Sequence, residues 1–331
     1  MSGLPAILVT GGAGYIGSHC CKALAECGYT PVCYDSLSTG HRDFVKWGPF
    51  VLGDIQDTDK LRSTLRKYNI AAVMHFAASS LVSESVANPQ KYYLNNVVGS
   101  LSLLQAMQDE GCSLFVLSST GAVYGETTNR MVSETAPCKP INPYGASKWM
   151  IEQILEDYRR AYGFGVFCLR YFNACGADVS GQIGELRDPE THLIPRIMMA
   201  LQGYAPNFAI FGDDYDTRDG TAIRDYIHVT DLATAHVRAV ELLRAGHSGG
   251  NFNLGAGRGY SVREVLAAVA TETKCKVPMT VKPRRLGDPP MLVADIRRAQ
   301  ETLALETHHS DLSTIIRTAW AWHRRVHPRK V

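Results

Sequence analysis

Apolar positions in the first half of the chain fall into short, nearly unbroken runs: AILVT (6–10), TPVCYD (30–35), AAVMHFA (71–77) and LFVLSS (114–119). Each run is long enough for a strand and too short for a helix. Unbroken apolarity suits strands covered on both faces of a parallel sheet. Between them, residues at about 15–27, 57–67 and 89–110 carry helical spacing. This alternation predicts a doubly wound α/β fold. Pro143 suits a first helical position, and Ile151, Ile154, Leu155 and Tyr158 keep helical spacing, so a helix is expected over 143–162. GVFCLRYF (165–172) reads as a further strand. Beyond it the pattern changes. Residues 176–225 are rich in Gly, Asp and Pro, with one short helix near 193–203, and read as loops that reach over a ligand. Helices resume at about 230–245, 261–274 and 310–325.

Composition narrows the function classes. With 331 residues, 45% of them hydrophobic and 20% charged, the chain can bury one large core or two smaller ones. A net charge of +2 argues against a nucleic-acid or membrane-surface partner. No apolar run approaches the length of a membrane span, and the N-terminus lacks the features of a secretory signal. Nine cysteines, an odd number with no C-x-x-C, read as reduced thiols of a cytoplasmic protein. The eleven histidines show no metal-ligand spacing, and no metal site is expected. The basic tail, HRRVHPRK, reads as a solvated end.

Chemistry enters at residues 10–17, Thr-Gly-Gly-Ala-Gly-Tyr-Ile-Gly, between the first strand and the first helix. Gly12, Gly14 and Gly17 satisfy G-x-G-x-x-G; Gly11, Gly14 and Gly17 satisfy T-G-x-x-G-x-x-G. Glycines allow a tight turn and close backbone approach to a pyrophosphate, which the free N–H groups of a helix start can bind. Asp35 ends the second strand, 18 residues after Gly17. A carboxylate there can bind the adenosine ribose and repels a 2′-phosphate, which predicts NAD over NADP. Asp54 follows the third strand and either faces the adenine or caps the next helix.

Tyr144 and Lys148 lie at i and i+4 near a helix start. The ammonium is expected to lower the phenol's pKa, so that Tyr144 can move a hydroxyl proton while a nicotinamide takes or returns a hydride. Ser118-Ser119-Thr120 ends the preceding strand, on the side of the sheet where ligands bind. Thr120 is the candidate hydroxyl to orient the substrate, with Ser118 and Ser119 as alternatives.

Glycine loop, acidic strand end, Ser-Ser-Thr and Tyr-x-x-x-Lys, in this order and spacing, resemble the extended short-chain dehydrogenase/reductase family, and within it the UDP-glucose 4-epimerases. Six further segments carry the resemblance along the chain: LRYFN (169–173), PETHLIP (189–195), AIFGDDY (209–215), DGTAIRDYIHV (219–229), NLGAG (253–257) and PRRLGD (283–288). It implies a doubly wound parallel Rossmann sheet that binds NAD over 1–172, with segments near 225–255 returning to it. A smaller C-terminal α/β unit, mainly 173–331, is implied to bind a UDP-sugar. The implied activity is reversible epimerisation at C4 of a UDP-hexose through a 4-keto intermediate. In the cofactor site, Gly11, Gly12, Tyr15 and Ile16 match the diphosphate loop, and Asp54 with Ile55 the adenine contact. Phe76, Ala77, Ala78 and Asn95 line the cofactor, Ser118 joins them, and Phe172 covers the nicotinamide. Lys148 also holds the nicotinamide ribose. Asn173, His192, Leu193, Ala209, Ile210, Phe211, Arg224, Arg285 and Asp288 match UDP-sugar contacts. A homodimer through the helices around 89–110 and 143–160 is implied as well.

The match has departures. Thr120 replaces a common serine, and Ser80 stands where a cofactor-binding lysine often sits. His192 replaces an asparagine, and Leu292 stands at the sugar-pocket wall, where its bulk is expected to disfavour N-acetylated sugars. A 4,6-dehydratase would need carboxylates beside Thr120, where Gly121 and Ala122 stand. A UDP-xylose/UDP-arabinose or dual-specificity epimerase remains an alternative. So does a non-catalytic NAD-binding sensor or scaffold.

Overall fold

The computed structural model describes residues 5–127, 131–285 and 288–327. Leu286 and Gly287 of the PRRLGD segment, the first four residues and the end of the basic tail lie outside them. The strands are β1 (Ala6–Thr10), β2 (Thr30–Asp35), β3 (Phe50–Leu52), β4 (Ile70–His75), β5 (Leu114–Thr120), β6 (Met131–Val132), β7 (Gly165–Tyr171), β8 (Asn173–Cys175), β9 (Phe208–Phe211), β10 (Ile223–His228), β11 (Gly249–Leu254), β12 (Gly259–Ser261), β13 (Met279–Lys282) and β14 (Met291–Ala294). The α-helices are α1 (Tyr15–Glu26), α2 (Thr58–Tyr68), α3 (Val82–Ala87), α4 (Pro89–Tyr92), α5 (Gly99–Asp109), α6 (Pro143–Tyr162), α7 (Leu193–Leu201), α8 (Val229–Arg244), α9 (Val262–Thr273), α10 (Arg297–Leu303) and α11 (Leu312–Val326).

Seven parallel strands form the main sheet in the order β11-β7-β5-β4-β1-β2-β3. Alternate side chains cover its two faces. Ile7 and Val9 pack with α1 and α8, while Leu8 packs with α2, α5 and α6. The central strands are therefore apolar on both sides, which explains the unbroken runs in the sequence. The order reverses between β1 and β4, and such a switch point opens a crevice at the carboxyl ends of the strands. Gly11, the turn after Asp35, Phe76 and Thr120 all leave the sheet on that side.

A second body begins at β8, which pairs with β10; β10 lies in a sheet ordered β12-β10-β14-β6. Its core joins α7, α9 and α11 through Ile197, Val265, Val269, Ile315 and Ile316. β9 and β13 form a separate parallel pair.

Two expectations need correction. The predicted helix over 89–110 is α4, a π-helical stretch (Tyr93–Val98) and α5. The wider i→i+5 turn accommodates one extra residue. That turns Asn96 inward, where its amide meets Ser79 and Ser147. The stretch 176–225 is less irregular than its composition implies, since it contains β9 and most of the entry to β10. Its partners β13 and β14 lie roughly seventy residues away, so no local pattern marks the pairing.

Candidate active site

The glycine loop is built by close approaches that side chains would block. Gly11 has φ +72°, and a Cβ there would lie 2.6 Å from Ala77 N. At Gly12 it would meet Val9 O and Cys33 Sγ at 2.8 Å, and at Gly17 it would lie 2.2 Å from Gly11 O. Gly14 differs. Its Cβ would meet only Gly11 O, at 3.2 Å, so that side of Gly14 is open. Gly14 is also the N-cap of α1 and supplies no side-chain cap to the first-turn N–H groups. An open cradle above an uncapped helix start fits a dinucleotide diphosphate.

Asp35 lies at the rim. Its carboxylate accepts N–H bonds from Ala13 (3.0 Å) and Leu37 (2.8 Å), while burial pushes its pKa up. It thus holds the turn and keeps lone pairs for a further donor. Asp54 is not the cap of α2; Asp57 is, accepting from Lys60 N, and Asp54 instead accepts from Gln56 N. Ile55 is buried against Gly99. Phe76 lies 4.9 Å, ring to ring, from His236, and Ala77 abuts Gly11, with Ala78 following in the same loop. Asn95 donates to Asn96. Tyr15 crosses to the second body and donates to Gly176 O, and Ile16 packs on the core beside it.

Tyr144 and Lys148 occupy the first turns of α6, which is capped by Asn142 and begins with Pro143. The Thr120 hydroxyl accepts from Ala122 N at 3.1 Å, and the start of the helix that carries Tyr144 packs directly on this turn, where a Cβ at Gly145 would lie 2.7 Å from Ala122 O. Lys148 is 2% exposed and donates to Ser118 O at 2.8 Å. Tyr171 donates to the Ser118 hydroxyl. Ser119 points elsewhere, bonding Glu152 at 2.5 Å, and drops out as an alternative to Thr120. The expected acidification of Tyr144 by Lys148 is corrected. Burial raises the Tyr144 pKa, opposed by the Thr120 hydroxyl and the Arg187 charge. Lys148 turns its ammonium to a carbonyl, and burial brings its pKa down to about 8, against the pull of Glu152.

Behind this pair lies a buried network that the sequence reading missed. Arg170 binds Glu152 and Tyr124 Oη, and Tyr124 donates to Asn253. Glu152 stands four residues beyond Lys148, a spacing that could have marked it. Phe172 lies over Gly121, where a Cβ would come within 3.3 Å of its ring. Leu292 and Phe172 pack on Val123, Tyr124 and Val132.

In the second body, Arg224 pairs with Asp288 and not with Asp225. Asp225 is buried and accepts from Ala256, Gly257 and Ala294 N–H groups. Asn173 donates to Asp225 O at 2.8 Å. The Arg285 guanidinium stacks 4.0 Å from the Phe211 ring. Ala209, Ile210 and Phe211 pair with Thr280, Val281 and Lys282 along one edge of β9. His192 occupies the N-cap position of α7 just before Leu193 without a side-chain cap, and its Nδ1 instead lies 2.5 Å from Glu185 Oε1. The Glu185 charge raises the His192 pKa, while burial and Glu185 bring Glu190 up to about 7. Donor atoms of Glu185, Glu190 and His192 lie within 4.8 Å of one another, a cluster with metal-ligand chemistry that the sequence spacing did not suggest. Glu185 is already engaged by His192 and by the cation Arg187.

A dinucleotide cradle, a switch-point crevice and a Tyr–Lys–Thr constellation define an NAD-dependent enzyme that works on a hydroxyl group. Residues 7–255 match the model of the NAD dependent epimerase/dehydratase family, and the chain belongs to that family. A UDP-glucose 4-epimerase of Rhizobium leguminosarum bv. trifolii is 49% identical over 319 residues, covering 96% of this chain and 97% of that one. The crystal structure of the UDP-glucose 4-epimerase from Brucella ovis in complex with NAD matches with a TM-score of 0.94 at 52% identity, covering 96% and 97% of the two chains. The Stenotrophomonas maltophila UDP-glucose-4-epimerase with bound NAD and formylated UDP-arabinopyranose gives 0.94 at 40% identity, covering 98% of each.

Proposed function

We propose that this chain interconverts UDP-glucose and UDP-galactose by inverting C4 of the hexose through a transient 4-keto sugar, using tightly bound NAD. One observation carries the reading: the first turn of α6, with Tyr144, packs on the turn that follows Thr120 at the carboxyl end of β5, on the crevice side where the glycine cradle opens. That these relatives are UDP-glucose 4-epimerases supports a hexose over a pentose substrate.

Tyr144 takes the proton of the C4 hydroxyl and later returns one. Thr120 fixes the line between that hydroxyl and the phenol. Lys148, as ammonium, supplies positive charge one turn away. The Gly11–Gly17 loop and Asp35 would hold NAD, which when bound would supply the reversible hydride transfer at C4. Arg224 and Arg285 clamp the UDP diphosphate, Asp288 takes the uridine ribose, and β9 reads the uracil along its backbone. Arg224 and Asp288 also pair with each other, which holds the two ligand-facing groups side by side. Anchoring the UDP lets the sugar turn while the reactive ketone stays enclosed. Leu292 with Phe172 narrows the sugar pocket against N-acetyl groups.

The assembly is a homodimer in this reading. Leu94, Val98 and Leu101, and Met150 on α6, are exposed apolar side chains on adjoining helical segments. Nine free thiols fit a reducing compartment, the cytoplasm. Among the described residues, no helix is long and apolar enough to cross a membrane.

Purified protein incubated with UDP-galactose, without added cofactor, should form UDP-glucose. Absence of any sugar-nucleotide interconversion would overturn the reading in favour of a sensor or scaffold. A parallel arm with UDP-arabinose should turn over more slowly.

A further inference from the structure

We propose that Glu152 is a positioning residue for this reaction: its buried pair with Arg170 pegs α6 to the ends of β5 and β7, and so sets where Tyr144 and Lys148 stand against Thr120. The inference rests on the reading of Tyr144 as the base, and adds what holds that base in place.

Helix geometry comes first. Tyr144, Lys148 and Glu152 follow one another at four-residue spacing, so they form one stripe on successive turns of α6. In the first turn, a Cβ on Gly145 would lie 2.7 Å from Ala122 O, so the helix start rests on the turn after Thr120. In the next turn, Lys148 donates to Ser118 O at 2.8 Å. One turn further on, the Glu152 carboxylate accepts from Ser119 Oγ at 2.5 Å. Bonds a turn apart to adjacent residues of one strand fix both the rotation of α6 about its axis and its slide along β5.

The strand side is held as closely. Ser119 pairs in register with Arg170 on β7, and Arg170 with Asn253 on β11, so the three form a row across the sheet just before β5 ends at Thr120. Arg170 Nε lies 3.0 and 3.1 Å from the two Glu152 oxygens, and its Nη2 lies 2.5 Å from Oε2. Its Nη1 donates to Tyr124 Oη at 3.0 Å, and Tyr124 donates to Asn253 Oδ1 at 2.6 Å. Tyr124 closes the short turn Gly121–Tyr124 that follows Thr120. The network therefore grips the chain on both sides of Thr120, at Ser119 and at Tyr124, and grips α6 through Glu152. Successive strand residues point to opposite faces, so a fixed Ser119 also fixes the direction in which Thr120 leaves the sheet.

Energetics favour this role over a stabilising one. Glu152 is 4% exposed, and Arg170, Ser119 and Tyr124 are less exposed still. Withdrawing two charges from water costs about as much as their attraction returns, and an apolar pair of similar volume commonly serves stability as well. An apolar pair cannot reproduce a set of directed bonds that admits one placement of α6 against β5 and β7. That placement matters for rate, since a displacement of about 1 Å between reacting groups can cost about 100-fold.

The test compares wild type, Glu152→Gln, Ser119→Ala and the double variant Glu152→Met, Arg170→Met by kcat and KM with UDP-galactose, with retained NAD and UDP binding measured in each. The methionine pair leaves no orphaned charge and is expected to fold. Its kcat should fall about 10- to 100-fold, while KM, NAD content and UDP affinity stay within about twofold of wild type. Ser119→Ala leaves the ion pair intact and should lose about 3- to 10-fold in kcat. Glu152→Gln keeps an acceptor for Ser119 and Arg170 and should stay within about threefold of wild type. Wild-type kcat in the methionine pair or, if that pair does not fold, in Ser119→Ala overturns the proposal. So does a loss of turnover matched by an equal loss of NAD or UDP binding, which would make the network merely structural. A wild type inert towards UDP-galactose overturns the assigned reaction itself, and is told apart because no variant is needed to see it.

Discussion

The four glycines of the cradle do different work, and a pair of alanine substitutions separates them. Gly17→Ala would place Cβ 2.2 Å from Gly11 O and 2.9 Å from its carbonyl carbon. Ordinary contact needs about one ångström more, and the obstacle is backbone, so the loop must shift; such overpacking costs about 1–3 kcal/mol. Gly14→Ala meets only Gly11 O at 3.2 Å, and its φ of −83° suits any residue. It should alter stability by no more than about 1 kcal/mol. Its methyl, however, would stand in the open side of the cradle, between the helix start and a phosphate. Losing one charge-assisted N–H bond is worth about 1.5–3 kcal/mol, which lowers NAD affinity about 10- to 150-fold. The assay is NAD retained per chain after purification, with titration of stripped protein and denaturant midpoints for both variants. The expected pattern is a folded Gly14→Ala that loses NAD and a Gly17→Ala that loses stability as well. A Gly14→Ala variant with wild-type NAD affinity would refute the cradle argument.

Tyr144→Phe should lower turnover of UDP-galactose about 100- to 10,000-fold, the usual share of a positioned acid/base group, with UDP binding by calorimetry unchanged; full activity would remove Tyr144 from the mechanism. Lys148 has its folded pKa depressed to about 8, so the native state disfavours its charged form below that pH and the penalty fades as pH rises towards the unfolded value near 10.5. Denaturant midpoints should therefore show wild type gaining on Lys148→Met between about pH 8 and 10.5, and a constant difference would contradict the buried ammonium. The double variant Leu94→Glu, Val98→Glu should run as a monomer in light scattering; a dimer unaffected by both charges would place the interface elsewhere.

Much of this architecture is legible locally. Five strands of the main sheet, β1, β2, β4, β5 and β7, announce themselves as apolar runs, whereas the short β3 and the Gly-rich β11 do not. The glycine loop and the Tyr-x-x-x-Lys pair lie within single short segments. What could not be read depends on contacts distant in sequence. β9 pairs with β13, and β10 with β8 and β14, across stretches whose composition suggests only loops. The π-helical stretch depends on where Asn96 must point, not on helical propensity. The state of Tyr144 is the clearest case. Spacing alone put an ammonium beside it, but burial and the direction of Lys148 decide the balance, and Arg187 arrives from a loop about forty residues further on. Glu185 gave no signal, since an isolated glutamate in a Gly-rich stretch looks like a solvated side chain.

The edge strand of the main sheet has a consequence for synthesis. β11 (249–254) pairs with β7 along six residues, and Phe252 stacks on Phe167 with ring centroids 5.1 Å apart. α8 packs on α1 and the sheet, filling one face with Leu232, Val240 and Leu243. A nascent chain that has emerged only as far as β7 therefore carries a bare strand edge and an uncovered apolar face. It must wait for some eighty more residues, the first part of the second body included, before its first sheet is closed. The enzyme is in this sense sewn shut from behind, and cannot be divided at residue 172 into parts that each leave the ribosome finished.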